Sequence, residues 1–267
     1  MAGRNAKSQA EFAERLASGP GTVDADKTLD LGSLASVRDF AEHIRGRYQT
    51  LDCVMLNAGV MNTPPGKTSD GFEVQMGTNV VGHFLLAKLL ASRTRRQVWL
   101  SSTGHLLTGD PPGDHARSFE NAPRINLDAI KQIDEASYDS WHRYQQSKLG
   151  DILLARQFLV EFDKLEGCAV HPGVVRTNLS RHMSVWSIAK YVWFSVTGRG
   201  AKVLTPEQGA RTQTLCAVMP SGELVAGGFY ADCAVSQEAD AAKNMDDAKA
   251  LYDYRDEATR PFQTPQA

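Results

Sequence analysis

The sequence predicts an α/β fold, a parallel sheet with helices on both faces, and three observations predict it. The first is a set of short apolar runs, Cys53-Val54-Met55-Leu56, Gln97-Val98-Trp99-Leu100 and Cys168-Ala169-Val170. Runs of this length and character suit strands buried on both faces. The second is that helical patterns alternate with them, as right-handed strand–helix–strand units require. The third is where the polar residues fall. Asn57-Ala58-Gly59, Ser101-Ser102 and His171-Pro172-Gly173 each follow a run directly, and the ligand crevice of an open parallel sheet lies outside the carboxyl ends of its strands.

Taken in order, residues 5–18 place Ala6, Ala10, Phe12, Ala13, Leu16 and Ala17 on a broad, weakly apolar helical face, which Ser18-Gly19-Pro20-Gly21 ends. Residues 22–30 hold a poor strand candidate, because Asp24, Asp26 and Lys27 interrupt it. Ser33 is a good N-cap for a helix carrying Leu34, Val37, Phe40, Ala41 and Ile44 at three- and four-residue spacing. After the Cys53–Leu56 run, a long helix is expected from about Gly71 to Ser92, with Val80, Val81, Phe84, Leu85 and Leu89 inward. A polar loop follows Ser101-Ser102 and leads to a helix that opens around Tyr144 and runs to Phe162.

Composition narrows the function classes. The chain has 267 residues, 42% hydrophobic and 22% charged, which suits one globular domain over residues 1–267. A formal net charge of −2 gives no electrostatic case for nucleic acid as a partner. Cys53, Cys168, Cys216 and Cys233 form no close pair and no Cys-x-x-Cys, which argues against a disulfide scaffold or a metal site. The polar start, Met1-Ala2-Gly3-Arg4-Asn5-Ala6-Lys7, lacks an apolar signal core and predicts a cytoplasmic protein. Residues 183–196 are rich in aromatic and aliphatic side chains, with Lys190 the one charge. Their character suggests a lipophilic small-molecule substrate, and leaves open a core or homo-oligomer contact or contact with a membrane surface.

Tyr144-Gln145-Gln146-Ser147-Lys148 carries the chemistry. Residues four apart share a helix face, so Tyr144 and Lys148 stack. An ammonium beside a phenol favours the phenolate, and such a phenol exchanges protons with an alcohol or carbonyl near neutral pH.

These residues together resemble the short-chain dehydrogenase/reductase family. Asn57-Ala58-Gly59, Ser102, Tyr144 with Lys148, and Pro172-Gly173 occur in the family's order and spacing. The finer resemblance is to the branch of retinol dehydrogenases, WW-domain oxidoreductases and protochlorophyllide reductases. It rests on Gly77-Thr78-Asn79-Val80-Val81-Gly82-His83-Phe84, His171-Pro172-Gly173-Val174-Val175-Arg176-Thr177, Thr205-Pro206-Glu207-Gln208-Gly209-Ala210 and Gly228-Phe229-Tyr230-Ala231-Asp232-Cys233. The resemblance implies a Rossmann-like doubly wound parallel sheet and hydride transfer with NADP(H) on a lipophilic alcohol, ketone or aldehyde. It implies Tyr144 as general acid/base, Lys148 as its tuning cation and holder of the nicotinamide ribose, Ser102 on the substrate oxygen, and Asn79 holding a water in a proton path. It implies Arg4 at the 2′-phosphate, Asp30 beside the adenine, and Asn57, Val175 and Thr177 along the ribose and nicotinamide. It implies residues 183–196 as the cover of the substrate. No metal is implied.

The chain also departs from that pattern. The family begins with a strand, a Thr-Gly-x-x-x-Gly-x-Gly turn and a helix, whose backbone N–H groups meet the pyrophosphate; no such turn is present here. The expected sheet therefore lacks the first strand and most of the second, the run at Val54 faces an unpaired edge, and this chain is expected to bind the dinucleotide weakly. The link Lys164-Leu165-Glu166-Gly167 is short, so the strand at Cys168 is expected to be shortened. A truncated, non-catalytic relative or interaction protein stays open as the alternative.

Overall fold

A computed structural model describes residues 2–17, 19, 21–108, 116–117, 119–131, 133, 135–177, 179 and 203–264. Five strands form the main sheet in chain order: β1 (Leu51–Leu56), β2 (Thr94–Leu100), β3 (Glu166–His171), β4 (Phe229–Ala231) and β5 (Ala234–Val235). The first four pair in parallel, with Met55 opposite Val98, Val98 opposite Cys168 and Val170 opposite Tyr230; β5 turns back antiparallel. Each parallel crossover contains a helix. α1 (Ala6–Leu16) and α2 (Leu34–Arg47) precede β1. α3 (residues 74–90) joins β1 to β2, α4 (Ser140–Glu161) joins β2 to β3, α5 (Arg211–Val218) lies between β3 and β4, and α6 (Met245–Thr259) follows the sheet.

Both faces of the sheet are covered. On one, Trp99 packs against Phe158 of α4, and Phe158 meets Phe84 of α3 and Tyr252 of α6 edge-on. On the other, Val98, Cys168 and Val170 pack against Cys216 of α5 and Tyr230. Arg96 ties the second layer down. Its buried guanidinium donates to the carbonyls of Cys216 (2.9 Å) and Met219 (2.6 Å) at the end of α5, where a helix leaves carbonyls unsatisfied and favours a cation. Its Nε donates to Glu166 (2.8 Å). The doubly wound arrangement expected from the sequence is therefore the one that forms.

Several local expectations need correction. Residues 22–30 form no strand; one backbone bond, Leu29 N–H to Gly3 O (3.0 Å), joins the end of the segment to the residues ahead of α1. Gln9 of α1 holds the segment by donating to Ala25 O and Lys27 O, and Asp24 and Asp26 turn toward Arg47 at the end of α2. The run at Val54 is not buried on both faces: only Leu56 is fully buried, and Met55 is 39% exposed. Among the described residues β1 pairs only with β2, so the expected unpaired edge is present. The strand at Cys168 is not shortened, because Glu166 and Gly167 join it. The Tyr144 helix begins earlier, at Ser140, where Asp139 accepts from Trp141 N (2.9 Å) and His142 N (3.1 Å) as its cap.

The expected helix from Gly71 to Ser92 is real but not uniform. It is α-helical over Val74–Met76, π-wound over Gly77–Gly82 and α-helical again over His83–Leu90. A Cβ on Gly82 would stand 2.3 Å from Leu31 O, so only glycine lets this helix lie so close to the segment ahead of α2. Widened π turns concentrate at functional positions, and Asn79 sits inside this one.

Candidate functional site

β2 ends at Leu100, and the chain turns at once. Ser101 N–H donates to Val170 O on β3 (2.8 Å) and its hydroxyl donates to Lys148 O of α4 (2.6 Å). That fixes the start of the loop against the helix carrying Tyr144. The next residue, Ser102, is held by two neighbours. Its Oγ accepts from Gly104 N (3.0 Å) and its carbonyl accepts from His105 Nδ1 (2.6 Å). His105 Nε2 accepts from Ala239 N (3.2 Å), so its proton must lie on Nδ1. A Cβ on Gly104 would sit 3.4 Å from Ser102 Oγ and 3.4 Å from Tyr144 Cε1. Hydroxyl and ring therefore line the same small gap, beyond the carboxyl end of the sheet.

Behind this gap the site is closed and polar. Tyr144 and Lys148 are both buried, and the ammonium lies 5.8 Å from the Tyr144 ring centre. Lys148 Nζ donates to Leu100 O (2.7 Å) and to Asp151 Oδ2 (2.8 Å). Burial works against the ammonium, but the Asp151 carboxylate and, after it, Tyr144 together outweigh it and hold the Lys148 pKa above the usual lysine value. Burial pushes Asp151 up to about 7 against the pull of the ammonium. The 2.8 Å bond favours the charged form of the pair.

Asn79 braces the arrangement. Its Oδ1 accepts from Val60 N (2.9 Å), and its Nδ2 donates to Val60 O (2.9 Å) and to Ser147 Oγ (3.0 Å). Ser147 Oγ in turn donates to Tyr144 O (2.8 Å). One amide thus joins the loop after β1, the π turn of α3 and the Tyr144 turn of α4. The Asn79 carbonyl accepts from His83 Nδ1 (2.9 Å). Burial first, then the charge of Lys148, pushes His83 down to about 3, so this imidazole stays neutral across the working range. A Cβ on Gly59 would stand 3.2 Å from Asn79 Oδ1 and 3.9 Å from Lys148 Nζ; glycine leaves a polar cradle open between them.

The expected catalytic residues Asn79, Ser102, Tyr144 and Lys148 are thus brought together. The expected cofactor residues are more scattered. Asn57 and Thr177 are exposed just past β1 and β3, and Val175 is half-buried in a two-residue strand (Val174–Val175) paired with Val203–Leu204. Asp30 Oδ1 accepts from Gly32 N (2.9 Å), which makes it a turn residue ahead of α2. Arg4 is exposed before α1, where Asn5 caps the helix by accepting from Ser8 N (3.0 Å). The substrate cover over 183–196 lies outside the described residues. Among the described residues no group of His, Cys, Asp and Glu could hold a metal ion, and no helix is long and apolar enough to cross a membrane.

The nicotinamide-ribose end of a dinucleotide fits the residues present, with a buried ammonium beside a phenol and an open cradle at Gly59. The pyrophosphate end has no glycine-rich turn among these 267 residues. Residues that the sequence reading passed over include Asp151, His105 and Ser147. Asp151 was detectable: it is the one ionisable residue between Lys148 and Arg156, in an otherwise apolar stretch three residues from Lys148.

The chain matches no family model. It is 34% identical over 256 residues to retinol dehydrogenase 14 of Mus musculus, covering 91% of this chain and 70% of that protein. Across several matched retinol dehydrogenases the chain spans 64–70% of their length. A crystal structure of an uncharacterized protein from Mycobacterium paratuberculosis superposes with a TM-score of 0.70 at 28% identity, covering 97% of this chain and 83% of that one. An NADPH-bound carbonyl reductase from chicken fatty liver shares the fold, with a TM-score of 0.56 at 18% identity over 88% of this chain and 85% of that one.

Proposed function

We propose, from the premise that this chain belongs to the short-chain dehydrogenase/reductase family, that it interconverts a lipophilic alcohol and its ketone or aldehyde with NADP(H), working as one domain over residues 1–267. The observation that carries the reading is the shared gap between Ser102 Oγ and the Tyr144 ring, with Lys148 and Asn79 behind it.

In the reduction direction Tyr144 Oη–H gives its proton to the substrate oxygen as that oxygen gains charge. Ser102 Oγ–H donates to the same oxygen, and the Gly104 N–H already bound to Oγ polarises that donor. Lys148 stabilises the phenolate left behind. In the oxidation direction the phenolate takes the alcohol proton and the same cation favours the ionised starting state. The nicotinamide, when bound, supplies or accepts the hydride. The cradle beside Gly59 gives room for a water between Asn79 Oδ1 and Lys148, which would carry the proton outward; the Asn79 side chain is chiefly a brace.

A bound dinucleotide would be held by Lys148 at the ribose, by Asn57, Val175 and Thr177 along the rim at the strand ends, by Asp30 toward the adenine and by Arg4 at a 2′-phosphate. The NADPH held by the fold relative supports the phosphorylated form, as does the cationic Arg4. Replacing Arg4 with Ala is expected to weaken NADPH and leave NADH unchanged; equal loss for both contradicts that choice. For the substrate, lipophilic carbonyls are expected to outrun small polar ones in an activity panel, and the reverse order removes the lipophilic assignment.

A second reading, a non-catalytic interaction protein, draws on the edge of β1, which carries no second partner strand among the described residues. Titration of the purified 267-residue chain with NADPH separates the two. The enzyme reading expects binding weaker than micromolar that supports turnover at saturation, and the second reading expects none at any concentration.

A further inference from the structure

We propose that Asp151 is a positioning residue for this chemistry: its buried carboxylate anchors the Lys148 ammonium against the end of β2 and so sets how much of that charge acts on Tyr144. The inference rests on the oxidoreductase reading above and deepens it.

Tyr144, Lys148 and Asp151 follow at steps of four and three along α4, so they share one face of it. A carboxylate in an apolar stretch, 1% exposed, is costly unless paired. Its one hydrogen bond among the described residues is from Lys148 Nζ, at 2.8 Å, and its other oxygen, Oδ1, is buried without a partner. An ammonium has three N–H donors. Leu100 O and Asp151 Oδ2 take two of those on Lys148, which leaves one for the side facing the Gly59 cradle and Tyr144. The pair therefore fixes the direction of the remaining donor.

The same pair fixes the charge. The ionisable groups facing Lys148 are Tyr144 and Asp151 on α4 and His83 on α3. His83 stays neutral, so Asp151 is the charge that balances the ammonium. A carboxylate at 2.8 Å cancels much of the field that Lys148 would otherwise exert on the phenol 5.8 Å away. Asp151 is thus a restraint: it holds the cation in place and moderates it. The upward displacement of the Lys148 pKa, in which Asp151 is the largest opposing influence to burial, agrees with this role.

Asp151→Asn keeps an oxygen for the Lys148 N–H and removes the charge. In protein labelled at the lysine Cε carbons, with Lys148 assigned by its missing resonance in Lys148→Arg, the pH at which Lys148 titrates is expected to fall by about one unit or more in Asp151→Asn. That readout requires no cofactor and no turnover. In alcohol oxidation the pH of half-maximal kcat/KM is expected to fall by about one unit as well, because the unbalanced ammonium favours the phenolate. A carboxylate with a merely structural role would lower stability and leave the pH profile of kcat/KM in place, and that result, or an unmoved Lys148 titration, overturns the proposal. Asp151→Ser is read in the same way if Asp151→Asn does not fold. Turnover that survives Tyr144→Phe would overturn the functional reading instead. Loss of turnover in Tyr144→Phe together with an unmoved Lys148 titration in Asp151→Asn removes the role of Asp151 alone.

Discussion

β1 and β2 begin as the same kind of sequence, a short apolar run, and end in different environments. In β2 Val98 and Trp99 are 0% and 1% exposed, whereas in β1 Met55 is 39% exposed. β2 has a strand on each side, α4 over Trp99 and α5 beneath Val98. β1 has one neighbouring strand among the described residues. Hydrophobicity marks a strand, but neighbours determine whether it is buried. The site follows this contrast. Ser102, Tyr144 and Lys148 hang from β2 and α4, both largely buried. Asn57, at the end of β1, is exposed, and Arg4 and Asp30 lie on the segments ahead of it.

The contrast can be broken in order of expected effect. Tyr144→Phe should reduce turnover by about 10²–10⁴-fold, the usual worth of a general acid/base, with an unchanged unfolding midpoint, as read by steady-state kinetics and denaturation. A variant with normal turnover breaks the link between the enclosed half and the chemistry. Phe158→Ala should cost about 3–5 kcal/mol, since Phe158 is buried among Phe84, Trp99 and Tyr252. Met55→Ser on β1 should stay within about 0.5 kcal/mol, as surface changes do. Urea unfolding of the two variants side by side tests the contrast directly; equal losses would mean that β1 is covered in solution.

Lys148→Met should also cost about 3–5 kcal/mol, because it strands a buried carboxylate, and Lys148→Met with Asp151→Leu should recover most of that loss. Failure of the double variant to recover would show that the pair is not the source of the cost. A smaller effect belongs to His83. Its folded pKa is pushed below the unfolded value, to about 3, so the unfolded chain takes up the proton first. Its contribution is present above about pH 6.5 and is lost as the pH falls from there toward about 3, by up to about 1.4 kcal/mol per unit. Asp151, pushed up to about 7, slopes the opposite way, so the wild type is to be compared with His83→Gln. The variant should lose the acid-side decline. The smallest effect is Ser33→Ala, which removes the cap on Ser36 N and should cost about 1 kcal/mol in thermal unfolding.

Much of this was legible in the sequence for a physical reason. Tyr144 and Lys148 lie on one continuous helix, and Ser102 directly follows a strand, so helical spacing and the rule for strand ends suffice to bring them together. Asn79 needed the family resemblance, because its three bonds reach Val60 and Ser147, far apart in the chain. The π turn around it and the buried Lys148–Asp151 pair depend on packing that spacing does not encode. The false strand at 22–30 and the over-buried reading of β1 share one cause: both assumed neighbours that the described residues do not provide.

The most direct test of the central claim is hydride bookkeeping. A lipophilic ketone is reduced with saturating NADPH deuterated at the transferring position, using wild type and Tyr144→Phe, and deuterium at the carbinol carbon is measured. The wild type is expected to form deuterated carbinol, and Tyr144→Phe to form it about 10²–10⁴-fold more slowly. Equal rates of deuterated-product formation by the two proteins would contradict the assignment.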